Sequence, residues 1–561
     1  MVALSLVTSL ALGLDNGLRV PPMGWSSWYG FTQNIDEAIL MSMADGLVSS
    51  GLAKAGYTGV WLDDGWVMAD RDPKTQAPVA DPLQYPSGMK ALGDYLHGKG
   101  LKFGLYTSKG TKTCLGYQTS QPNRTGSCGF EAIDANTYVK EWGVDAVKDD
   151  GCGSCPQHDP FATMAAALNA TGKPVWYAVH GEWCGAKPDA YPAAYPAVAN
   201  MWRTGDDLSA SSFDMWTNRL DRATAAEQRA LAGPGRFPNP DFLEVGYSPR
   251  QRKGESGVQS ALEQRSMFTM WAALPAPLML SADVRANATG AGGCGGVDAE
   301  ALETLTNAEV IAVNQDDLAQ PMSAVKRSGG LEVWQKALTG DRSAVVFFYR
   351  NATNAAGQRL ALNKAPYSKA PNALDFDLVI DAPPAPAPLT NDPSLCLGQV
   401  DDCGCANPGT TPRLGLVDCN ASDPTQQWSY DSKAKLVVNV VGKSVLNAGP
   451  TCAGDAGSSL LLYPGPHSPA ESNEEWTYHR VGGPITSASD AVSAVGLAGW
   501  TDAPRNVSVT WEELGVSGTG SVKVRDLWAK ADIGTFVVDA TEGFSAMIKF
   551  HEARIYTVSA V

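Results

Sequence analysis

Residues 144–152 read V-D-A-V-K-D-D-G-C, a short apolar strand that runs into charged side chains and stops at a glycine. Because side chains alternate along a strand, Lys148 and Asp150 lie on one face and Asp149 lies on the other. A lysine beside a carboxylate favours the ionised form that a nucleophilic carboxylate requires. A single cluster of this kind is also what a solvated strand end looks like, so its meaning depends on whether the pattern recurs.

The pattern recurs from residue 20 to about residue 320. Candidate strands end at or beside Trp25, Asp63 and Asp64, Tyr106, Asp150, Glu182, Arg203 to Asp207, Asp241 and Met279. Between these strands, apolar residues recur at the helical spacing of three or four residues. Examples are Ile39, Met43 and Leu47, and Met89, Leu92 and Leu96. Eight strand–helix units predict a closed (β/α)8 TIM barrel over residues 14–320, with its chemistry at the carboxyl ends of the strands.

Length and composition set the frame for this barrel. The 561 residues suffice for two or more domains, and 44% apolar with 18% charged residues is typical of globular proteins. The net charge of −16 disfavours nucleic acids and anionic membranes as partners. No apolar run approaches the roughly 18 residues of a membrane span, so we predict none.

The N-terminus and the cysteines indicate an oxidising compartment. Residues 1–13 are apolar and end in small residues, which predicts a signal peptide, the alternative being a buried first strand. Eleven cysteines favour disulfides. N-x-S/T sequons begin at Asn123, Asn169, Asn287, Asn351, Asn420 and Asn506. We therefore predict a secreted glycoprotein of the secretory pathway, extracellular or vacuolar/lysosomal.

The sequence favours chemistry without a cofactor. Cys152 and Cys155 form a lone C-x-x-C pair and the other cysteines lack zinc-ligand spacing, so disulfides are the better interpretation. We find no glycine loop of the phosphate-binding kind and no Ser-His-Asp order, and the six histidines are scattered. We predict no cofactor and no metal.

The strand ends match a known family in order and spacing. The matching stretches are PPMGWSSW, WLDDGW, GLYTSKGTKTC, VKDDGC, GEW, WRTGDD, AGPG, NPDFLEVG, APLMLSADVR and VNQD. Residues 14–320 thereby resemble the retaining α-galactosidases of glycoside hydrolase family 27 and their α-N-acetylgalactosaminidase relatives. The resemblance implies an exo-acting hydrolase that removes terminal α-linked galactose from oligosaccharides, polysaccharides or glycoconjugates.

The resemblance also implies two catalytic carboxylates. Asp150 would be the nucleophile and Asp207 the general acid/base, since carboxylates about 5–5.5 Å apart give double displacement with retention. The family usually has an aromatic residue where this chain has Asp149, but alternation still selects Asp150. For the acid, ungapped spacing from Arg203 selects Asp207, whereas a one-residue deletion selects Asp206.

Other strand ends would form the galactose pocket. By resemblance, Asp63 and Asp64 accept hydrogen bonds from the 4- and 6-hydroxyls, and Trp25 supplies an apolar wall or, alternatively, is a core residue. The remaining predicted substrate contacts are Tyr106, Lys148, Glu182, Arg203 and Asp241, with Phe242 where the family often has methionine. Tyr106, like Trp25, has a core residue as its alternative. Cys114 and Cys152 resemble the family's disulfide beside the nucleophile. Gly181 replaces a usual cysteine, which leaves Cys184 without an evident partner, Cys155 being a candidate.

These residues distinguish among an α-galactosidase, an α-N-acetylgalactosaminidase and a non-catalytic galactose-binding protein. A carboxylate at Glu182 can accept a hydrogen bond from a 2-hydroxyl and crowds out a 2-acetamido group, which favours galactose over N-acetylgalactosamine. Related arabinopyranosidases alter one of the paired aspartates, and here Asp63 and Asp64 are both intact. A non-catalytic galactose-binding protein usually lacks a catalytic carboxylate, yet Asp150 and Asp207 are both present.

After residue 320 the pattern becomes all-β. Residues 321–367 and 483–561 predict an antiparallel β-sandwich, interrupted by an insertion over 368–482 that begins in a Pro/Ala-rich linker. The insertion's cysteines are Cys396, Cys403, Cys405, Cys419 and Cys452. Its two units that end at Trp428 and Trp476 resemble ricin-type β-trefoil lectins. The alternative is a structural insertion held by disulfides.

Overall fold

A computed structural model gives the fold of the chain. It describes residues 16–118, 123–156, 159–181, 195–208, 213–246, 259–285, 297–350, 504–518, 520–539 and 541–561, and the backbone alone of nine strands between residues 360 and 478. The predicted signal peptide, Glu182 and Cys184 lie outside the described residues. Within those residues, no helix has the length and apolar character needed to cross a bilayer.

Eight parallel strands form a curled sheet in the first half of the chain. They are β1 (Met23–Ser26), β2 (Gly59–Leu62), β3 (Lys102–Ser108), β4 (Ala146–Asp150), β5 (Trp176–His180), β6 (Met201–Arg203), β7 (Phe237–Asn239) and β8 (Leu278–Leu280). Their order is β7-β6-β5-β4-β3-β2-β1-β8. Leu243, just after β7, bridges to Leu280 in parallel and closes the ring. The predicted barrel is confirmed.

Helices separate the strands. They are α1 (Trp28–Phe31), α2 (Glu37–Ser49), α3 (Leu52–Ala55), α4 (Gly88–Gly98), α5 (Cys114–Tyr117), α6 (Glu131–Asn136), α7 (Pro160–Ala170), α8 (Tyr195–Val198), α9 (Phe213–Ala223), α10 (Ala226–Leu231), α11 (Ala261–Ala273), α12 (Ala299–Leu305) and α13 (Ala308–Asn314), with a π-helical turn at Thr137–Glu141. Met89, Leu92 and Leu96 of α4 are buried, as their spacing predicts. The chain then reverses at Gly100, whose φ of +74° favours glycine.

Helix α2 shows the same agreement between pattern and packing. Asp36 caps its first turn by accepting a hydrogen bond from the Ile39 N–H at 2.8 Å. Met43 and Leu47 are fully buried, and Ile39 packs against the same core while partly exposed. The apolar stripe therefore faces the barrel, as the sequence predicts.

Trp61 of β2 occupies the interior of the barrel beneath the polar strand ends. Its side chain is 5% exposed and lines the same pocket as Lys148 and Arg203. Gly104, its register partner on β3, makes room for the indole, because a Cβ there would lie 2.5 Å from the ring. A tryptophan opposite a glycine thus forms the apolar floor on which the site is built.

Seventeen strands follow the barrel. They are β9 (Ser323–Ser328), β10 (Leu331–Leu338), β11 (Arg342–Tyr349), β12 (Leu360–Lys364), β13 (Phe376–Ile380), β14 (Leu395–Val400), β15 (Arg413–Asp418), β16 (Trp428–Asp431), β17 (Leu436–Asn439), β18 (Val445–Ala448), β19 (Leu460–Tyr463), β20 (Trp476–Tyr478), β21 (Arg505–Thr510), β22 (Ser521–Asp526), β23 (Ala531–Val537), β24 (Gly543–Ile548) and β25 (Ala553–Ala560). An antiparallel sheet of order β23-β22-β25-β11-β10-β9 packs against the pair β21-β24. This is the predicted β-sandwich.

The sandwich has its own core and is fastened to the barrel. Phe347, Trp511 and Phe544 pack together in a buried cluster separate from the barrel core. Arg525 of β22 makes two hydrogen bonds of 2.7 Å to the carboxylate of Glu309 on α13. The two domains therefore meet through a bidentate ion pair as well as apolar contact.

Strands β13 to β20 lie within the predicted insertion, and β12 lies just before it. Strand β13 pairs with β12 in antiparallel and with β20 in parallel, and a second sheet has the order β14-β15-β19-β18-β17-β16. Trp428 and Trp476 each begin a strand. The side chains here lie outside the described residues, so the lectin-like interpretation and the domain boundaries remain predictions.

Candidate active site

Strand register places the predicted polar residues on one inner surface. Tyr106 pairs with Lys148, Lys148 pairs with Ala178, and Asp150 pairs with His180. Residues in register on parallel strands point to the same side, so these side chains all point into the barrel. Lys148, Ala178 and His180 line a pocket inside the barrel together with Trp61, Met201, Arg203, Asn239, Phe242 and Met279.

Asp150 ends β4 at the pocket. Its Oδ1 accepts a hydrogen bond from the Gly151 N–H at 2.8 Å and lies 3.1 Å from Nδ1 of His180. Burial acts to raise the pKa of this carboxyl, but the contact with His180 and the charge of Lys148 outweigh burial and hold the pKa well below its usual range. Asp150 is therefore ionised, as a nucleophile must be.

Asp149 lies on the opposite face of the same strand. It is 1% exposed, and the Tyr177 hydroxyl donates a hydrogen bond to its Oδ2 at 2.7 Å. Burial raises the pKa of the Asp149 carboxyl well above its usual range. The pKa values of the two adjacent aspartates are thus shifted in opposite directions, because alternation places their side chains in different surroundings.

Lys148 connects strand β4 with the paired aspartates. Its Nζ donates a hydrogen bond of 2.7 Å to Oδ2 of Asp63, and the two side chains are 11% and 3% exposed. Burial acts to lower the pKa of Lys148, but the carboxylates of Asp63, Asp150 and Asp207 raise it above its usual value. The lysine is therefore a fixed positive charge among three carboxylates.

Asp64 is held by backbone groups. Its Oδ1 accepts from the Gly65 N–H at 2.7 Å, and its Oδ2 accepts from the Leu115 N–H at 2.8 Å. Burial raises the pKa of Asp64 to about 6, against the effect of those hydrogen bonds and one from Thr113. The loop after β3 thereby orients the second aspartate of the pair.

Arg203 binds two further carboxylates. Its Nη1 lies 3.0 Å from Oδ1 of Asp207, and its Nη2 lies 3.0 Å from Oδ2 of Asp241. The guanidinium is 5% exposed. Such a planar, permanently charged group can orient two carboxylates at once through its two terminal nitrogens.

Asp207 and Asp206 occupy different surroundings. Removal from solvent acts to raise the pKa of Asp207, but Arg203, His180 and Lys148 lower it below its usual value. The Asp207 side chain keeps 43% of its surface exposed, whereas that of Asp206 is 16% exposed and lies 4.0 Å from Arg222. The structure therefore brings Asp207, rather than Asp206, to Arg203.

Asp241 follows β7 in a strained backbone conformation. Its φ is +95°, a region that residues other than glycine rarely adopt. Its Oδ2 accepts from the Leu208 N–H at 2.8 Å, from Arg203 and from the Tyr29 hydroxyl. Its buried Oδ1 has no hydrogen-bond partner within the described part of the chain.

Two disulfides join the loop after β3 to the loop after β4. Cys114 is bonded to Cys152, and the Cys114 N–H approaches the Tyr106 hydroxyl at 3.4 Å. Cys128 is bonded to Cys155. The suggestion that Cys155 pairs with Cys184 is therefore wrong. Cys155 lies opposite Cys128 once the two loops are packed together, an arrangement that spacing along the chain does not reveal.

Trp25 is placed away from the pocket. It pairs with Val60, whose side chain belongs to the outer core, and it is fully buried with its indole N–H donating to the Ala282 carbonyl at 2.8 Å. In the PPMGWSSW stretch, Trp28 is the aromatic residue that keeps exposed surface. Alternation along β1 accounts for this placement, because it puts Trp25 on the outer face of the sheet.

His180 is the site residue that the sequence did not indicate. It follows four apolar or aromatic residues of β5 and lies about thirty residues beyond Asp150 in the chain. Only the register between β4 and β5 brings the two side chains together.

The described residues contain one group with the composition of a metal site. Ligand atoms of Cys114, Asp150 and Cys152 lie within 4.8 Å of one another. Both sulfurs are consumed by the disulfide between those cysteines, so the group does not have the donors of a cation site.

A parallel barrel that holds several carboxylates and fixed cations at its strand ends is an arrangement typical of glycoside hydrolases. The family model for α-galactosidase A matches residues 20–316, and that for the α-galactosidase C-terminal β-sandwich domain matches residues 485–558. The chain belongs to the α-galactosidase family, glycoside hydrolase family 27.

Individual relatives agree with this assignment. An α-galactosidase of Oryza sativa is 37% identical over 345 residues, which cover 61% of this chain and 74% of the relative. An α-galactosidase of Coffea arabica is 38% identical over 346 residues, which cover 61% of this chain and 82% of the relative. The crystal structure of α-galactosidase I from Mortierella vinacea has the same fold, with a TM-score of 0.59 at 22% identity over 97% of this chain and 98% of the other.

Proposed function

We propose that the protein is a retaining, exo-acting α-galactosidase that releases terminal α-linked galactose from carbohydrate chains. The observation that carries the proposal is that Asp150 beside His180 lies close enough to Asp207 beside Arg203 for its charge to act on Asp207, while the charge of Lys148 acts on both carboxylates. Membership of the α-galactosidase family supports the same activity.

In the proposed mechanism the two carboxylates act in turn. The Asp150 carboxylate attacks the anomeric carbon while the leaving oxygen takes a proton from Asp207, which gives a covalent glycosyl-enzyme. Water then attacks the same carbon, gives its proton to Asp207, and the bond to Asp150 breaks. Two inversions at one carbon leave the α configuration unchanged.

Asp207 must hold a proton for the first step, although Arg203 favours its ionised form in the unliganded protein. Substrate binding is expected to shift Asp207 from its ionised to its protonated form. The carboxyl is 43% exposed, and a sugar in the pocket would cover it and remove its water. Loss of solvation raises the pKa of a carboxyl group, so closure of the site by substrate favours the protonated acid.

The other polar groups would hold the galactose ring. Lys148, Asp63 and Asp64 form one wall, where carboxylate oxygens can accept from the 4- and 6-hydroxyls. Arg203 contacts Asp241 at 3.0 Å, and by resemblance Asp241 would also contact the sugar. By resemblance Glu182 would accept the 2-hydroxyl and exclude a 2-acetamido group.

The test compares matched aryl α-galactoside and aryl α-N-acetylgalactosaminide substrates, with the first sugar released observed by NMR. We expect turnover of the galactoside with α-galactose appearing first. Preference for the acetamido sugar would favour the related α-N-acetylgalactosaminidase activity, and β-galactose as first product would contradict the double displacement. Binding of galactose without turnover of either substrate would indicate a carbohydrate-binding protein.

We propose further that residues 368–482 form a lectin-like module that targets the enzyme to galactose-bearing polymers, and that the protein acts in the secretory pathway. The two described disulfides fit an oxidising compartment. Replacement of 368–482 by a short Gly/Ser linker should leave turnover of a small galactoside nearly unchanged while binding to galactomannan falls. Unchanged polymer binding would favour a structural role.

A further inference from the structure

His180 occupies the position on β5 that pairs with Asp150 on β4. Residues in register on parallel strands point to the same side, so both side chains point into the barrel. Nδ1 of His180 lies 3.1 Å from Oδ1 of Asp150, and the two side chains are 11% and 15% exposed. The contact is therefore built into two adjacent strands of the barrel wall.

The two oxygens of the Asp150 carboxylate have different surroundings. Oδ1 accepts the Gly151 N–H at 2.8 Å and also faces Nδ1 of His180. Among the described residues, none donates a hydrogen bond to Oδ2. An oxygen that accepts one hydrogen bond and also contacts an imidazole nitrogen is the weaker nucleophile, and the carboxylate cannot rotate without breaking both contacts.

We infer that His180 is a positioning residue for the reaction: its Nδ1–H holds Oδ1 of Asp150 so that Oδ2 faces the anomeric carbon. The inference rests on the proposed function, because it takes Asp150 as the nucleophile. A lone pair of Oδ2 forms the bond to C1, the bond from C1 to the glycosidic oxygen breaks, and that oxygen takes the proton of Asp207. In the second step water bonds to C1, its proton goes to Asp207, and the electron pair of the C1–Oδ2 bond returns to Asp150.

The charge of a protonated His180 acts among several ionisable groups. From neighbouring strands and the loops that follow them, the pair is faced by Asp63, Asp64, Tyr106, Lys148, Arg203 and Asp207, and Glu182 follows two residues later in the sequence. Burial acts to raise the pKa of Asp150, and His180 is the largest of the charges that lower it. Without His180, Asp150 should take up a proton, and lose its nucleophilicity, at a higher pH.

The test measures how fast a 5-fluoro galactosyl fluoride labels the full-length protein across the acidic range. Fluoride needs little help from an acid to leave, so labelling depends mainly on an ionised Asp150. His180→Leu removes both charge and hydrogen bond, and His180→Asn keeps a donor near the position of Nδ1 without the charge. Circular dichroism and thermal melting check folding, and the Asn variant keeps a polar group should the Leu variant not fold.

We expect the pH midpoint of labelling to rise by about one unit or more in His180→Leu and by less in His180→Asn, because an adjacent opposite charge lowers a carboxyl pKa by about 1–3 units. Peptide mapping should find the label on Asp150 in every variant. The matched control is His97→Leu, because His97 pairs with Asp145 at 2.9 Å, just before the other end of β4. That variant should keep the wild-type midpoint.

The outcomes separate the two claims. A label on Asp150 with the same midpoint in both folded His180 variants would overturn the role of His180 and leave the nucleophile intact. A label on any other residue would overturn the proposed nucleophile and, with it, this inference. An equal rise of the midpoint in His97→Leu would show a general effect of lost positive charge, which also contradicts the inference.

Discussion

Nζ of Lys148 donates a hydrogen bond of 2.7 Å to Oδ2 of Asp63, across the intervening strand β3. The contact joins the strand that ends in Asp150 to the strand that precedes the aspartate pair. A buried ion pair stabilises little by itself, but the loss of one partner leaves a charge without compensation. The bond therefore ties the position of the predicted nucleophile to that of the hydroxyl-binding aspartates.

Removal of either partner of this pair should destabilise the fold. We expect Lys148→Met and Asp63→Ala each to lower the free energy of unfolding by about 3 kcal/mol or more, and the double variant by less than the sum. Urea denaturation measures all three. Lys90→Met is the control, because Lys90 and Asp94 form an exposed pair and its loss should cost below about 1 kcal/mol. Additive effects of the two buried substitutions would mean that they do not interact.

The two adjacent aspartates should respond oppositely to the same isosteric change. Asp149 is buried with a raised pKa, which favours its neutral form, so Asp149→Asn should keep turnover within a few-fold and stability within about 1 kcal/mol. Asp150→Asn should abolish turnover, since the amide cannot form the glycosyl-enzyme. Steady-state kinetics on an aryl α-galactoside provide the comparison. Loss of turnover in Asp149→Asn with activity retained in Asp150→Asn would reverse the assignment.

The acid/base assignment predicts a dependence on the leaving group. Asp207→Ala should slow hydrolysis of alkyl galactosides far more than that of activated aryl galactosides, by about 10²-fold or more, because only the former need protonation. Asp206→Ala, on the neighbouring residue beside Arg222, is the matched control and should slow both substrates alike. If Asp206→Ala instead slows the alkyl galactosides selectively, Asp206 is the general acid/base, as the alignment with a one-residue deletion implies.

Specificity is expected to depend on Glu182. In Glu182→Ser the carboxylate is lost, space opens and the 2-hydroxyl loses its acceptor. The ratio of kcat/KM for the N-acetylgalactosaminide to that for the galactoside should therefore rise by at least about tenfold. The test is to measure kcat/KM for both substrates with the wild-type protein and with Glu182→Ser. An unchanged ratio would place the determinant of the 2-position elsewhere.

Lys336 at the domain junction should make stability depend on pH. Its Nζ donates to the Val313 carbonyl at 2.6 Å, and burial lowers its pKa to about 7, from an ordinary value of about 10.4. Between those values the unfolded chain binds more protons than the folded one, so stability rises with pH, by up to about 1.4 kcal/mol per pH unit. Below about pH 7 both states are protonated and this contribution is constant.

Lys336→Met should remove that rise, which urea titrations across the alkaline range would detect. Lys326→Met provides the control, because Lys326 is 37% exposed and paired with Glu513. An identical pH dependence in wild type and Lys336→Met would show that the lysine is not deprotonated in the folded protein.

The fold was predictable because its signals are local. Apolar spacing in α4, the glycines after it and the strand that runs into Lys148 each lie within a dozen residues. The recurrence of such units then leaves few topologies other than a parallel barrel. The orientation of Asp150 could be derived in the same way, because alternation along one strand needs no knowledge of its neighbours.

The parts of the site that escaped prediction depend on contacts between segments. His180 meets Asp150 only through the register of two strands, and Cys128 meets Cys155 only after two loops pack together. Trp25 shows a different failure, because the resemblance placed it in the pocket while its strand position turns it outward. A residue assigned by family likeness still has to satisfy the alternation of its own strand.

Both described disulfides connect the same two loops, the one after β3 and the one after β4. Neither crosses the core of the barrel, so their reduction leaves the buried strands and helices without a broken crosslink while it releases the segments on either side of Asp150. In a reducing medium the protein can therefore lose activity while its global fold is retained. In heterologous production, the redox state of the host compartment would decide whether a folded preparation is also an active one.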